Sequence, residues 1–253
     1  MMNWTVRGCL IPLVTPFDER GELDEPALRR LVNYLIKEQA ADALVPCGTT
    51  GESPTLSHQE HLRVIEVVLE ETAGRVPVIA GTGSNSTAEA VDMTVAAEKM
   101  GADGSLQVGP YYNRPSQEGI YRHFKAISES TSLPLILYNI PARTGRNIEV
   151  DTIVRLSELK NVVGIKEASG DILQIGEILE RTRREGREFY VYSGDDPLTF
   201  FVLCLGGHGC IAAVGHVLGV EFSRMCRLVW EGNLEEAREI HYRVLPVVRA
   251  LFC

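Results

Sequence analysis

A lysine closes the apolar run at residues 162–165 in "VVGIKEASG". A charge at the exit of a buried strand costs free energy unless it is paired or used. Among apolar strands the ammonium form of Lys166 is disfavoured, and a neutral amine is the nucleophile that makes an imine with a ketone. The other reading is a lysine whose stem lies along the strand while its head pairs with Glu167 or Glu52. Polar residues end the neighbouring apolar runs as well: Thr49, Thr50 and Glu52 in "GTTGES", Tyr111 and Tyr112 in "GPYYN", Tyr138, Asn139 and then Arg143 in "YNIPAR", and Ser193, Gly194 and Asp195 in "YSGDD". An amine, phenols, threonine hydroxyls and a guanidinium, without a His and Cys ligand cluster, point to metal-free covalent catalysis on a carbonyl compound. Tyr138 is a proton shuttle if it faces the lysine, and otherwise a core phenol with a satisfied hydroxyl. "GTTGES" is a carboxylate cradle or an ordinary turn, and Arg143 grips a carboxylate as a fork or pins its own loop. His58 and His61 sit one helical turn apart, but no third metal ligand accompanies them. "SELK" at 157–160 matches SxxK and reads as helix surface.

The elements that position these residues alternate. Eight apolar runs begin at Gly8, Asp42, Val76, Gly104, Leu133, Asn161, Phe189 and Gly209, at intervals of about 20 to 34 residues that each hold a strand and a helix. The segments between carry helix starts: Ser57 with Glu60 and Ser86 with Glu89 as capping boxes, and Asp196 before Pro197 as cap and first-turn proline. Eight such units in one chain of this length predict an α/β protein of the (β/α)8 barrel type, with catalytic residues at the carboxyl ends of the strands. The competing fold is an open doubly wound sheet, whose phosphate fingerprint is poorly met because "GTGSNS" has Ser86 in place of the third glycine. Beyond the eighth strand two helices are expected, over 220–231 and from Asn233 onward, the second with an apolar stripe of Ala237, Ile240, Val244, Val247 and Leu251. The expected division is a barrel over 1–219 and a shortened C-terminal helical extension over 220–253.

The bulk composition narrows the function classes. With 45% apolar and 23% charged residues among 253, the chain builds a core and is not disordered. A net charge of −9 argues against a nucleic-acid or anionic membrane partner, both of which need clustered Lys and Arg. The segment 197–220 has no charged side chain, yet Gly206, Gly207, Gly209, Gly215 and Gly219 with His208 and His216 break it into short buried pieces rather than a membrane span. Six cysteines without a CxxC pair suit free thiols in a reducing compartment, and "MMNWTVRGCL" lacks the features of a secretory signal, so a cytoplasmic protein is expected.

Taken in order, "GTTGES", "PYYNRPSQEG", "YNIPARTG", "GIKEASG" and "YSGDD" resemble the dihydrodipicolinate synthase and N-acetylneuraminate lyase family, over nearly the whole chain from "LVTPF" to "LPVVRALF". The resemblance implies a (β/α)8 barrel with helices after it, in which Lys166 forms a Schiff base with pyruvate without a cofactor or metal. The derived enamine attacks L-aspartate 4-semialdehyde, for lysine and diaminopimelate synthesis. By the same resemblance Tyr138 shuttles protons, Thr49 links it to Tyr112, and Tyr112 reaches into the neighbouring subunit's site. Thr50 helps hold the pyruvate carboxylate, Ile211 lines that pocket through its backbone, and Gly194 lies beside it. Arg143, in the synthase form "ARTG", receives the semialdehyde carboxylate, and a second anion on a net-negative protein does need a local cation. Ser53, His58, His61, Asn85, Glu89 and Tyr111 match positions that bind lysine as a feedback inhibitor at the interface of a tight dimer, within a dimer of dimers.

Two departures from the family pattern stand out. Val214, Gly215 and His216 replace a small or hydroxyl residue followed by asparagine, which is expected to reshape one wall of the pocket. The chain stops at "ALFC" where the family continues through an Asn-Pro motif and two helices, leaving Leu251 and Phe252 as exposed apolar residues that favour association. The rival readings are another pyruvate-dependent class I aldolase or lyase acting on a sugar acid or N-acetylneuraminate, from which Arg143 distinguishes the chain, and a truncated non-catalytic barrel that binds pyruvate or lysine. Intact Lys166, Tyr138 and Thr49 argue against the latter.

Overall fold

Each of the eight apolar runs becomes a strand in the computed structural model, which describes residues 4–251. They are β1 (Gly8–Pro12), β2 (Ala43–Val45), β3 (Ile79–Gly81), β4 (Gly104–Val108), β5 (Leu135–Asn139), β6 (Val162–Glu167), β7 (Tyr190–Ser193) and β8 (Gly209–Ile211). The sheet runs β2-β1-β8-β7-β6-β5-β4-β3 in parallel, and a parallel bridge between Leu44 and Val78 joins its two ends into a barrel. Closure is carried by Leu44 N–H donating to Pro77 O and Gly81 N–H to Pro46 O, both at 2.9 Å. Side chains of Leu10, Val45, Ile79, Leu106, Ile136, Val163 and Ile211 fill the interior, while other strand residues pack outward on helices. Burial on both faces is why the strands read as unbroken apolar runs. Trp4 plugs the floor: its indole N–H donates to the Tyr192 hydroxyl at 3.0 Å, and that hydroxyl donates to Val6 O at 2.5 Å. With the floor packed, the open end is the one where the strands finish.

The surrounding helices are α1 (Glu25–Lys37), α2 (His58–Thr72), α3 (Thr87–Met100), α4 (Gln117–Ser130), α5 (Pro141–Thr144), α6 (Val150–Leu156), α7 (Ile172–Arg184), α8 (Thr199–Cys204), α9 (Gly215–Trp230) and α10 (Leu234–Leu251). Ser57 and Glu60 form the expected capping box in full. Ser86 caps α3, but the Glu89 carboxylate turns to His58 at 3.1 Å, so the reciprocal half of that box is missing. Asp196 does not cap a helix with its side chain; it opens a 3₁₀ turn, Asp196–Leu198, and its carboxylate accepts from Val214 N–H at 2.9 Å. The helix expected over 220–231 begins instead at Gly215 and is broken at Leu218 (φ −132°, ψ 25°), beside the expected 219/220 division. At the break Gly219 passes so close to the backbone that an added Cβ would lie 2.3 Å from Gln39 O.

In α10 the residues Ala237, Ile240 and Val244 are buried as expected, but the stripe continues through His241 and Val248, while Val247 and Leu251 are 40% and 54% exposed. Phe252 and Cys253 lie outside the described residues. The segment 197–220 is divided among α8, β8 and the start of α9, and no helix among the described residues is long and apolar enough to cross a membrane.

One irregularity interrupts the ladder between β5 and β6. Leu135 faces Val162 and Ile136 faces Gly164, which leaves Val163 as an extra residue on β6, and the pairing then resumes with Tyr138 opposite Lys166. Gly164 is required there, because a Cβ would stand 2.3 Å from Tyr190 O.

Buried neutral histidines set an acid limit on this fold. His123 on α4 is 5% exposed, its Nδ1 lies 2.9 Å from the Thr87 hydroxyl, its Nε2 has no partner, and burial pushes its pKa down to about 4. The unfolded chain therefore binds this proton first. Its stabilising share is complete above about pH 6.5 and is lost as pH falls towards 4, amounting to about 3 kcal/mol. Urea midpoints at pH 7 and pH 4.5 should differ less for His123→Gln than for the unsubstituted protein; an equal difference would remove His123 from the acid response.

Candidate active site

Lys166 is 6% exposed at the end of β6, with Nζ 4.3 Å from the centroid of the Tyr138 ring on β5. Its stem crosses the bare backbone of Gly194 at the end of β7, where an added Cβ would lie 2.9 Å from both Cγ and Cε of the lysine. Glu167 points to the opposite side of the strand. It is fully buried and accepts from Ser169 N–H at 2.7 Å, Asn139 Nδ2 at 3.0 Å and Gln174 Nε2 at 3.0 Å. Burial pushes its carboxyl up from the ordinary range, against the pull of these donors. Glu52 is exposed, and among the described residues no carboxylate comes within ion-pair distance of Lys166. The pairing with Glu167 or Glu52 weighed from the sequence does not occur.

The Tyr138 ring is 4% exposed, and among the described residues its hydroxyl makes no hydrogen bond, so it is left for whatever enters. A cleft of about 380 Å³ opens above it, lined by Thr49, Tyr138 and Arg143 together with Ser53, His58, His61, Glu89 and Tyr111. Arg143 belongs to the short turn α5, started by Pro141 and stopped by Gly145 (φ 75°); its guanidinium has no ion-pair partner among the described residues. Thr50 follows Thr49 in the 3₁₀ turn Thr49–Gly51, whose Gly51 O accepts the Thr15 hydroxyl at 2.7 Å. Ile211 ends β8 opposite Leu10. Tyr112 is the outlier of the set: it is 90% exposed, stands in left-handed backbone (φ 72°), and holds its phenol away from the cleft of its own chain. Non-glycine residues adopt that region only at a cost.

Two pairs among the residues matched to a lysine site are in contact. His58 meets Glu89, Asn85 Nδ2 donates to Tyr111 O at 3.1 Å, and His61 donates from Nε2 to Gly81 O at 2.6 Å, with burial lowering its pKa. No group of His, Cys, Asp or Glu among the described residues is arranged to hold a metal ion. His216 does not line the cleft. Its Nδ1–H donates to Ala213 O at 2.8 Å and its Nε2 accepts from Val14 N–H at 3.3 Å, so the ring is a brace between the segments that follow β8 and β1, and burial keeps it neutral. The sequence reading missed two groups. Glu167 was considered only as a partner for the lysine, and Asp196, 5% exposed with its pKa pushed up to about 6 by burial, only as a cap. The one signal for Asp196 was the doubled aspartate after glycine in "YSGDD".

A parallel barrel that holds a buried amine against a phenol at the carboxyl ends of its strands defines a (β/α)8 protein equipped for carbonyl chemistry. Residues 5–253 match the model of the Dihydrodipicolinate synthetase family, and the chain belongs to that family. It is 50% identical over 246 residues to the 4-hydroxy-tetrahydrodipicolinate synthase of Syntrophus aciditrophicus (strain SB), covering 97% of this chain and 83% of that one. The chloride-inhibited dihydrodipicolinate synthase of Acinetobacter baumannii, solved with pyruvate, superimposes with a TM-score of 0.93 at 40% identity, over 98% of this chain and 84% of that one. The DHDPS of Cyanidioschyzon merolae, solved with lysine bound, gives 0.92 at 44% identity over the same shares.

Proposed function

We propose that the protein is a lyase of lysine and diaminopimelate synthesis, condensing pyruvate with L-aspartate 4-semialdehyde to 4-hydroxy-tetrahydrodipicolinate. The amine of Lys166 joins C2 of pyruvate as an imine and water leaves; loss of a methyl proton gives the enamine, whose terminal carbon attacks the aldehyde. The acceptor's own amine then displaces Lys166 and closes the ring. Tyr138 carries protons, Thr49 passes them to Tyr112 of a second copy, Thr50 and the Ile211 backbone beside Gly194 hold the pyruvate carboxylate, and Arg143 takes the carboxylate of the acceptor. No metal or cofactor is called for, because the protonated imine is itself the electron sink.

The observation that carries this reading is a buried lysine without a carboxylate partner among the described residues, its nitrogen over the Tyr138 ring. A relative of that name at half identity and a structural neighbour holding pyruvate support it. The exposure of Tyr112 supports assembly of at least two copies, arranged as a dimer of dimers, and the lysine-bound neighbour supports feedback by lysine at Ser53, His58, His61, Asn85, Glu89 and Tyr111. The five free thiols among the described residues suit the cytoplasm.

Incubation with pyruvate and borohydride, followed by peptide mass mapping, should place a reduced pyruvate adduct on Lys166; a folded sample without it overturns the assignment. For the acceptor, Arg143→Ala should lower kcat/KM for the semialdehyde by about 30- to 100-fold, the worth of a charge-assisted fork, and leave the pyruvate adduct intact. Unchanged turnover would mean a different aldehyde.

A further inference from the structure

Glu167 follows the lysine on β6 and faces the other side of the sheet, where none of the roles above uses it. Both of its oxygens accept from N–H groups: Oε1 from Ser169 N–H at 2.7 Å and Asn139 Nδ2 at 3.1 Å, Oε2 from Asn139 Nδ2 at 3.0 Å and Gln174 Nε2 at 3.0 Å. An ionised carboxylate accepts and never donates, so it fixes which end of each neighbouring amide points towards it. With its nitrogen on Glu167, Asn139 turns its oxygen to Ile148 N–H at 3.0 Å and its remaining N–H to Asn147 Oδ1 at 2.8 Å. Gln174, on α7, gives its nitrogen to Glu167 and its oxygen to Asn147 Nδ2 at 2.8 Å. The amides in this circle are all oriented from one carboxylate, and the Ile148 backbone N–H demands the same orientation of Asn139 from the other side. The residues so tied are the two ends of a loop. Asn139 ends β5, and its side chain grips residues eight and nine positions further on, which closes a compact loop around α5. Arg143 stands midway between those anchors, exposed and without an ion-pair partner among the described residues, so its place is set by the backbone that carries it.

We propose that Glu167 is a positioning residue for acceptor binding: its carboxylate orders the amide circle that closes the loop over 139–148, and through that loop it holds Arg143 where the carboxylate of the acceptor arrives. The inference rests on the acceptor role given to Arg143 above. Glu167 touches neither substrate nor the guanidinium; it acts on the two ends of the loop between them. Glu167→Gln keeps the size of the side chain and removes its direction. An amide nitrogen in place of Oε1 would face Ser169 N–H, a backbone donor that cannot turn over. In place of Oε2 it faces the nitrogen of Gln174, which can. Once Gln174 turns its oxygen to residue 167, Asn147 must turn as well, and its nitrogen then meets that of Asn139, donor against donor. The clasp between Asn139 and Asn147 opens, and the loop is freed at the end beyond Arg143.

The test is a double-mutant cycle with Arg143→Ala, read by steady-state kinetics on the semialdehyde and by the rate of borohydride trapping of pyruvate. Glu167→Gln should raise KM for the semialdehyde about tenfold, change kcat by less than about threefold and leave trapping at its original rate. In the Arg143→Ala background the same change should add less than about twofold, because the group it positions is gone. A full tenfold effect in that background, an unchanged KM in Glu167→Gln, or slower trapping, which would place the effect on Lys166, each overturns the inference. Gln174→Ala takes away one donor at the half-buried rim of the circle and should raise the same KM about threefold, again only while Arg143 is present. It decides the matter if Glu167→Gln does not fold, and an unchanged KM there overturns the inference in turn. If the unsubstituted protein does not turn over the semialdehyde, or Arg143→Ala leaves that turnover unchanged, the acceptor reading falls and this inference with it. A sensitive Arg143 beside an insensitive Glu167 overturns the inference alone.

Discussion

Lys166→Ala is expected to lower kcat by at least about 10⁴-fold and to abolish the pyruvate adduct, because the covalent route has no second nucleophile. No neighbouring group substitutes for it: the threonines and Tyr138 are hydroxyl groups, and a guanidinium at the same place, as in Lys166→Arg, stays protonated and forms no imine. The same substitution should leave the protein as stable as before or more so. Lys166 is 6% exposed and makes no ion pair among the described residues, so its removal leaves no opposite charge unpaired in the core. Steady-state kinetics with both substrates and a thermal melt read the two effects together. A melting temperature several degrees lower would show that the lysine braces the barrel mouth, and the chemical reading would lose its main support.

Gly194→Ala tests the path of the lysine rather than its presence. A methyl group there would lie 2.9 Å from Lys166 Cγ and Cε and from Ala168 Cβ, closer than real side chains approach. The lysine stem can swing aside but the alanine just past the end of β6 cannot, so the amine moves away from Tyr138. A displacement of about 1 Å at a reacting centre costs on the order of 100-fold in rate, and the crowding costs about 1 to 3 kcal/mol of stability. The rate of reductive trapping at saturating pyruvate measures the first and a urea titration the second. Trapping at the unsubstituted rate would mean that the lysine reaches its ketone by another route.

The strands were legible because each is covered on both faces, and a run such as "LPLILYNIP" has no other use for so many apolar residues. The meeting of Lys166 and Tyr138 followed from adjacency of the fifth and sixth strands, a topological consequence available before any coordinates. Where the reading failed, a distant partner had claimed the side chain. Glu89 completes no capping box because His58 is there to receive it, and Asp196 caps nothing because Val214, 18 positions later, donates to it. Local spacing holds no record of such contacts. Val247 was assigned to the core and is exposed because a heptad-like stripe on α10 fits two faces nearly equally well, and the barrel selects the one through His241 and Val248. His216 looked like a change in the pocket wall and proved to be a brace, since nothing in "AAVGHV" shows that Val14 lies opposite.

The extra residue in β6 decides which side of the sheet carries the lysine. Side chains on a strand alternate strictly in and out, so a strand has a parity, and one inserted residue reverses it for everything downstream. Val163 faces the barrel interior, and strict alternation from there would send Ile165 inward and Lys166 out among the helices. The irregularity at Val163 and Gly164 shifts the count by one. Ile165 joins the outer core, Lys166 turns in over Tyr138, and Glu167 turns out to its donors. The place of the amine is thus a matter of reading frame within a strand: pairing all six residues of "VVGIKE" in strict alternation would send the lysine to the face that Glu167 now occupies, whereas deleting Val163 would straighten the strand and leave Lys166 opposite Tyr138.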